Sequence, residues 1–115
     1  MKELLELDCT KEINKQKLNK ALYEIKPIKK HCNIGIVPIE ILEKVMHGLC
    51  MKYGYNAQYI TIAYCNERFM YYTASVCRGT GAHRKWLGNV YGKSMWELLA
   101  KILIKMYIEI KQERG

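Results

Sequence analysis

The chain is poor in several residue types that active sites and export frameworks depend on. It has a single aspartate, Asp8, in 115 residues, and the carboxylates near its glycine-rich loop at 78–88 are only Glu67 and Glu97. A metal-dependent nuclease gathers several carboxylates around its ions, and this sequence does not supply them. None of the five cysteines (Cys9, Cys32, Cys50, Cys65, Cys77) forms a C-x-x-C pair. An odd count with no export signal reads as reduced thiols rather than a disulfide framework. His31, Cys32, His47 and Cys50 have a superficial zinc-like spacing, but adjacent residues such as His31 and Cys32 seldom both point at one ion. No metal and no cofactor is therefore expected. There is also no long apolar run. MKELLELDCTKE reaches charge at once, so the expectation is no signal peptide, no membrane span, no membrane partner and a cytoplasmic location. With two prolines and no repeat or low-complexity stretch, the chain reads as one domain, 1–115, with a helical extension at 1–33 and a core at 38–112.

What is present is positive charge. The formal net charge is +8, and it is unevenly spread: residues 67–94 hold five basic side chains and one acidic one. Such a segment fits a polyanionic partner. The chain has four arginines, and two of them, Arg78 and Arg84, flank the loop RGTGAHRKWLG at 78–88 together with His83, Lys85 and Trp86.

Periodicity divides the chain into elements. In 10–26, Ile13, Leu18, Leu22 and Ile25 fall on one side of a helix opposite lysines, and Pro27 ends it. Residues 38–53 predict a second helix, with Pro38 at its first position, a face of Ile39, Leu42, Met46, Leu49 and Tyr53, and Gly54 as its stop. After Gly54 the period changes to two. QYITIAYC and RFMYYTASVCR read as antiparallel strands joined by Asn66-Glu67, and RKWLGNVY as a third strand. Ser94, with Glu97 three residues on, forms a capping box for a final helix to about Lys111. Apolar residues cover most of that helix, leaving Glu97, Lys101, Lys105 and Glu109 as a polar stripe. The fold expected is α+β, a three-stranded antiparallel sheet with helices packed on one face, in the order α-α-β-β-β-α. Parity puts Tyr59, Thr61, Tyr71, Thr73 and Ser75 together on the open face. The final helix must be covered on two sides, by the sheet and by another helix or a second copy. A homodimer through 94–111 is one expectation.

The loop GTGAHRK is not a nucleotide-phosphate loop. It lacks the G-x-x-x-x-G-K-[ST] spacing, and it joins two strands rather than leading from a strand into a helix N-terminus. Cys77 beside Arg78, with His83 near in sequence, is the only candidate nucleophile, and no third group orients the pair. No enzyme activity is expected. Binding is better supported: Arg78, His83, Arg84, Lys85 and Lys93 suit phosphates, and Trp86 with the tyrosines and threonines of the open face suits bases and backbone.

Two resemblances arise from these residues. From residue 38 onward, helix, three strands, helix is similar to a double-stranded-RNA-binding domain, and NVYGKSMWELLAKILIKMY resembles that family's last helix. There Lys93 and Ser94 match its phosphate-gripping start, while Met95, Trp96 and Leu98 stand where that family has cations. Residues 57–107 also resemble the ethylene-response-factor type of DNA-binding domain, shared with integrase arm-binding domains; Arg84, Trp86, Leu87 and Gly88 match its R-x-W-L-G strand. Both imply a nucleic-acid partner, with a duplex expected. The alternative is a small inhibitor or adaptor from a phage or mobile element that binds a host defence protein such as a CRISPR effector.

Overall fold

The computed structural model describes residues 2–62, 71–79, 82 and 84–114; of residues 2, 56–62, 71, 113 and 114 it describes the backbone. A 3-10 turn at Lys2–Glu6 leads into α1 (Glu12–Leu22), α2 (Lys26–Lys29) and α3 (Ile39–Tyr53). Strands β1 (Tyr55–Ile62), β2 (Tyr71–Arg78) and β3 (Lys85–Gly92) come next, and α4 (Met95–Arg114) closes the chain. The class is α+β, but the expected order α-α-β-β-β-α does not stand, because four α-helices and a leading 3-10 turn are present. Pro27 explains the extra helix: it sits in the first turn of α2. Proline lacks only an N–H that a first turn leaves unpaired anyway, so it starts a new helical turn instead of opening a connection.

The strands pair antiparallel in the order β1-β2-β3. Side chains along the sheet are described mainly on β2 and β3. The helix packed against both of these strands is α4, and α1 and α3 pack on α4 from its far side. The expected double cover of the final helix, by the sheet and by another helix, is found within the chain. The helix α4 is a middle layer between a sheet and other helices, which is why it is apolar almost all round. Leu98, Ala100, Ile102, Leu103, Ile104 and Met106 are fully buried in it. Its second cover comes from the same chain, so the apolar surplus that suggested a homodimer through 94–111 is already satisfied.

Leu18 and Leu22 reach the core as expected from the helical spacing, and so does Ile25, although the helix expected over 10–26 stops at Leu22 and Ile25 is the N-cap residue of α2; Ile13, placed on the same face, is 62% exposed. In α3 the buried residues are Leu42, Val45 and Leu49, with Pro38 as the N-cap residue rather than the first helical one. Gly54 ends α3, its N–H donating to the Cys50 carbonyl at 2.9 Å. Gly92 allows a very close approach: a Cβ there would meet the Leu98 backbone nitrogen at 2.6 Å. The absence of a side chain at Gly92 is what lets the end of β3 seat on the first turn of α4.

No helix among the described residues is long and apolar enough to cross a membrane.

Candidate nucleic-acid interface

The described part of the sheet surface away from α4 lies on β2 and β3, and its make-up depends on register. Thr73 pairs with Tyr91, Ser75 with Asn89 and Cys77 with Trp86, while Ala74 pairs with Val90 and Val76 with Gly88. Directly paired residues share a face. Ala74, Val76 and Val90 belong to the core, so Thr73, Ser75, Cys77, Trp86, Asn89 and Tyr91 occupy the outer face.

Trp86 and Tyr91 are five residues apart, and in a regular strand an odd separation sends two side chains to opposite faces. A bulge opposite Val76 and Cys77 resets the alternation. Leu87 packs against the core, and Gly88 comes after it with φ +130°, a backbone conformation that favours glycine. The extra residue brings both aromatic rings to the same side, where Trp86 is 63% and Tyr91 51% exposed.

Arg84 and Lys85 are exposed at the start of β3. Lys85 pairs with Arg78. The Arg78 guanidinium lies 5.6 Å from the ring centre of Tyr55, a cation–π contact beneath the hairpin end, so Arg78 is half-buried there rather than spread on the outer face. Lys93 pairs with Asp8 at 3.2 Å. Thr73 is on the outer face but buried, and its hydroxyl donates to the Val90 carbonyl at 3.2 Å. Ser75 donates to Asn89 Oδ1 at 2.8 Å.

The remaining expected site residues divide differently. Tyr59 and Thr61 pair with Ala74 and Tyr72 in the β1–β2 register, not with Thr73 and Tyr71, so the register does not group them as parity from the sequence did. The side chain of Tyr71, like those of Tyr59 and Thr61, lies outside the described residues, and so does His83. Of the ten expected residues, the register places Trp86 and Thr73 on the outer face, while Arg84 and Lys85 are exposed at the adjoining strand end, Lys85 on the side of its partner Arg78. Tyr91 and Asn89, which join Trp86 on this face, were missed because Gly88 was not read as the mark of a bulge between them and Trp86.

A second polar feature sits at the opposite end of β3. A cleft of about 340 Å³ is lined by Glu6, Asp8, Tyr91, Lys93, Glu97 and Lys101, among others. Glu97 was expected to act as half of a capping box. Its N–H does donate to Ser94 Oγ at 3.1 Å, but its carboxylate turns away: Oε1 accepts the Cys9 N–H at 3.1 Å and Oε2 accepts Lys101 Nζ at 2.9 Å. Lys101 Nζ also donates to the Leu7 carbonyl at 2.7 Å. Glu97 is 3% and Lys101 4% exposed, so two of the four residues of the expected polar stripe form an ion pair roofed by the N-terminal segment. The carboxyl of Asp8 is held down at about 2 by the hydroxyl and N–H of Thr10 and by Lys93, which favour its charged form. Burial pushes the Cys9 thiol up to about 11, and the charge of Glu97 adds to this.

Cys77, the candidate nucleophile, pairs with Trp86 in the register and is 8% exposed. Among the described residues no three histidine, cysteine, aspartate or glutamate side chains converge as metal ligands.

No protein-family model matches the chain, and no curated protein or solved structure is significantly similar to it. The functional reading therefore rests on the surface itself.

Proposed function

We propose that the chain is a small, non-enzymatic nucleic-acid-binding protein that uses the outer face of β2 and β3 with the cationic end of their hairpin. The observation that carries this is the position of Trp86: 63% exposed, directly after exposed Arg84 and Lys85, on a face with no carboxylate among Thr73, Ser75, Cys77, Asn89 and Tyr91. On the same face Tyr91 is also half-exposed, so the indole is one of two aromatic rings on this polar surface. Aromatic rings beside cations are the combination that holds nucleic acid, with the cations meeting phosphates and the rings meeting bases. The Ser75 hydroxyl and Asn89 amide add hydrogen-bonding capacity at the centre of the face, and the net charge of +8 raises the encounter rate with a polyanion.

The test is a mobility shift at two salt concentrations with the Arg84→Ala/Lys85→Ala double variant. Wild-type protein shifts the probe at low salt and loses it as salt rises, and the double variant does not shift it. Equal binding by the two proteins would overturn the proposal.

A further inference from the structure

We infer that the nucleic acid this face takes is a single strand, with two of its bases stacked on Trp86 and Tyr91. The inference rests on the nucleic-acid reading of this face and names its substrate class. Counting the bulge, four strand steps separate the two rings, or about 13 Å along β3. Bases in a stacked strand rise about 3.4 Å each, so the rings are about four steps apart. In a duplex the base faces are covered by their neighbours, and two rings standing on one flat sheet reach base edges or backbone but no base face. A single strand can splay unstacked bases onto both rings and loop the nucleotides between them over Ser75 and Asn89.

Charge sets where the backbone enters. At the Trp86 end stand Arg84 and Lys85, both exposed. At the Tyr91 end the cleft sets Glu6, Asp8 and Glu97 against Lys93 and Lys101; Lys93 and Lys101 are each paired with a carboxylate. That end does not attract phosphate. The strand is gripped electrostatically at the Trp86 end and held at the Tyr91 end by stacking. The bulge has the effect of converting two aromatics of opposite parity into one platform, so the preference for single strands is written in the backbone at Leu87 and Gly88 as much as in the rings.

The test uses the full chain with an oligothymidine of about twelve nucleotides and a duplex of the same length, read by fluorescence anisotropy, with circular dichroism of each variant as the check on folding. The single strand is expected to bind more tightly than the duplex. Trp86→Leu and Tyr91→Leu should each weaken single-strand binding at least about fivefold with no change in salt dependence, while Trp86→Phe and Tyr91→Phe keep most of the affinity. The Arg84→Ala/Lys85→Ala variant should instead flatten the salt dependence by about one to two units of log–log slope. Duplex binding as tight as single-strand binding, or leucine variants that bind like wild type while the arginine–lysine variant fails, would overturn the single-strand inference and leave the nucleic-acid reading standing. No binding of either probe at low salt overturns both.

Discussion

Replacing Lys101 with methionine should damage the fold more than any other single change of charge among the described residues. Lys101 and Glu97 are 4% and 3% exposed, and each also holds the N-terminal segment, through the Leu7 carbonyl and the Cys9 N–H. Methionine fills a similar volume, so packing survives, but the Glu97 carboxylate is left desolvated with one N–H donor, and the Leu7 carbonyl loses its partner. Breaking a buried pair from one side costs about 3–5 kcal/mol, which at about 4 °C per kcal/mol for a chain of this size lowers Tm by about 12–20 °C. The pair Lys105 and Glu109 has the same i,i+4 spacing and a 3.3 Å separation but side-chain exposures of 17% and 19%, against 4% and 5% for Lys101 and Glu97, so Lys105→Met should cost less than Lys101→Met. The double variant Glu97→Gln/Lys101→Met should recover much of the loss, because glutamine still accepts from Cys9 without burying a charge. Urea unfolding followed by circular dichroism measures all three. A Lys101→Met cost below about 1 kcal/mol, or one equal to that of Lys105→Met, would refute the assignment of Glu97–Lys101 as a desolvated pair.

Gly92→Ala should destabilise by about 1–3 kcal/mol, since the new methyl meets Leu98 backbone at 2.6 Å and neither partner can move without opening the β3–α4 seat; thermal unfolding reads this. Tyr55→Phe should raise stability by up to about 1 kcal/mol, because the Tyr55 hydroxyl is buried with no hydrogen-bond partner among the described residues, and a measurable loss would show that a partner exists. Acid should weaken the fold through Asp8. Its carboxyl drops from an unfolded value of 3.8 to about 2 in the native chain, so its contribution is complete above about pH 4 and is lost as pH falls toward 2. Asp8→Asn should flatten that part of the stability–pH curve.

The sequence carried the elements whose signals are local. The Ser94 cap, the three-and-four spacing of Leu42 and Leu49 and the alternation of β2 all depend on nearest neighbours along the chain, and each is found close to its expected place. Pro27 misled because proline has two opposite meanings, stop and first turn, and only the residues downstream of it distinguish them. The outer face was misassembled because parity was applied strand by strand. Whether Tyr59 lies opposite Ala74 or Thr73 is a matter of pairing register, which alternation within each strand does not give, and a slip of one residue moves every side chain to the other face. The bulge at Leu87 and Gly88 had a signal in retrospect: a glycine inside an otherwise good strand marks such irregularities. Glu97 matched a capping pattern and also an i,i+4 pair with Lys101, and only the N-terminal segment folding over α4 decides between them.

The most direct measurement is tryptophan fluorescence during titration with oligothymidine. The chain has two tryptophans. Trp96 is buried with its indole N–H bonded to the Val37 carbonyl at 2.7 Å, so Trp86 alone can meet a ligand. Saturable quenching at low salt, reversed by added salt and absent in Trp86→Phe, is the predicted result. No quenching at low salt, or quenching unchanged in Trp86→Phe, would contradict the placement of nucleic acid on this face.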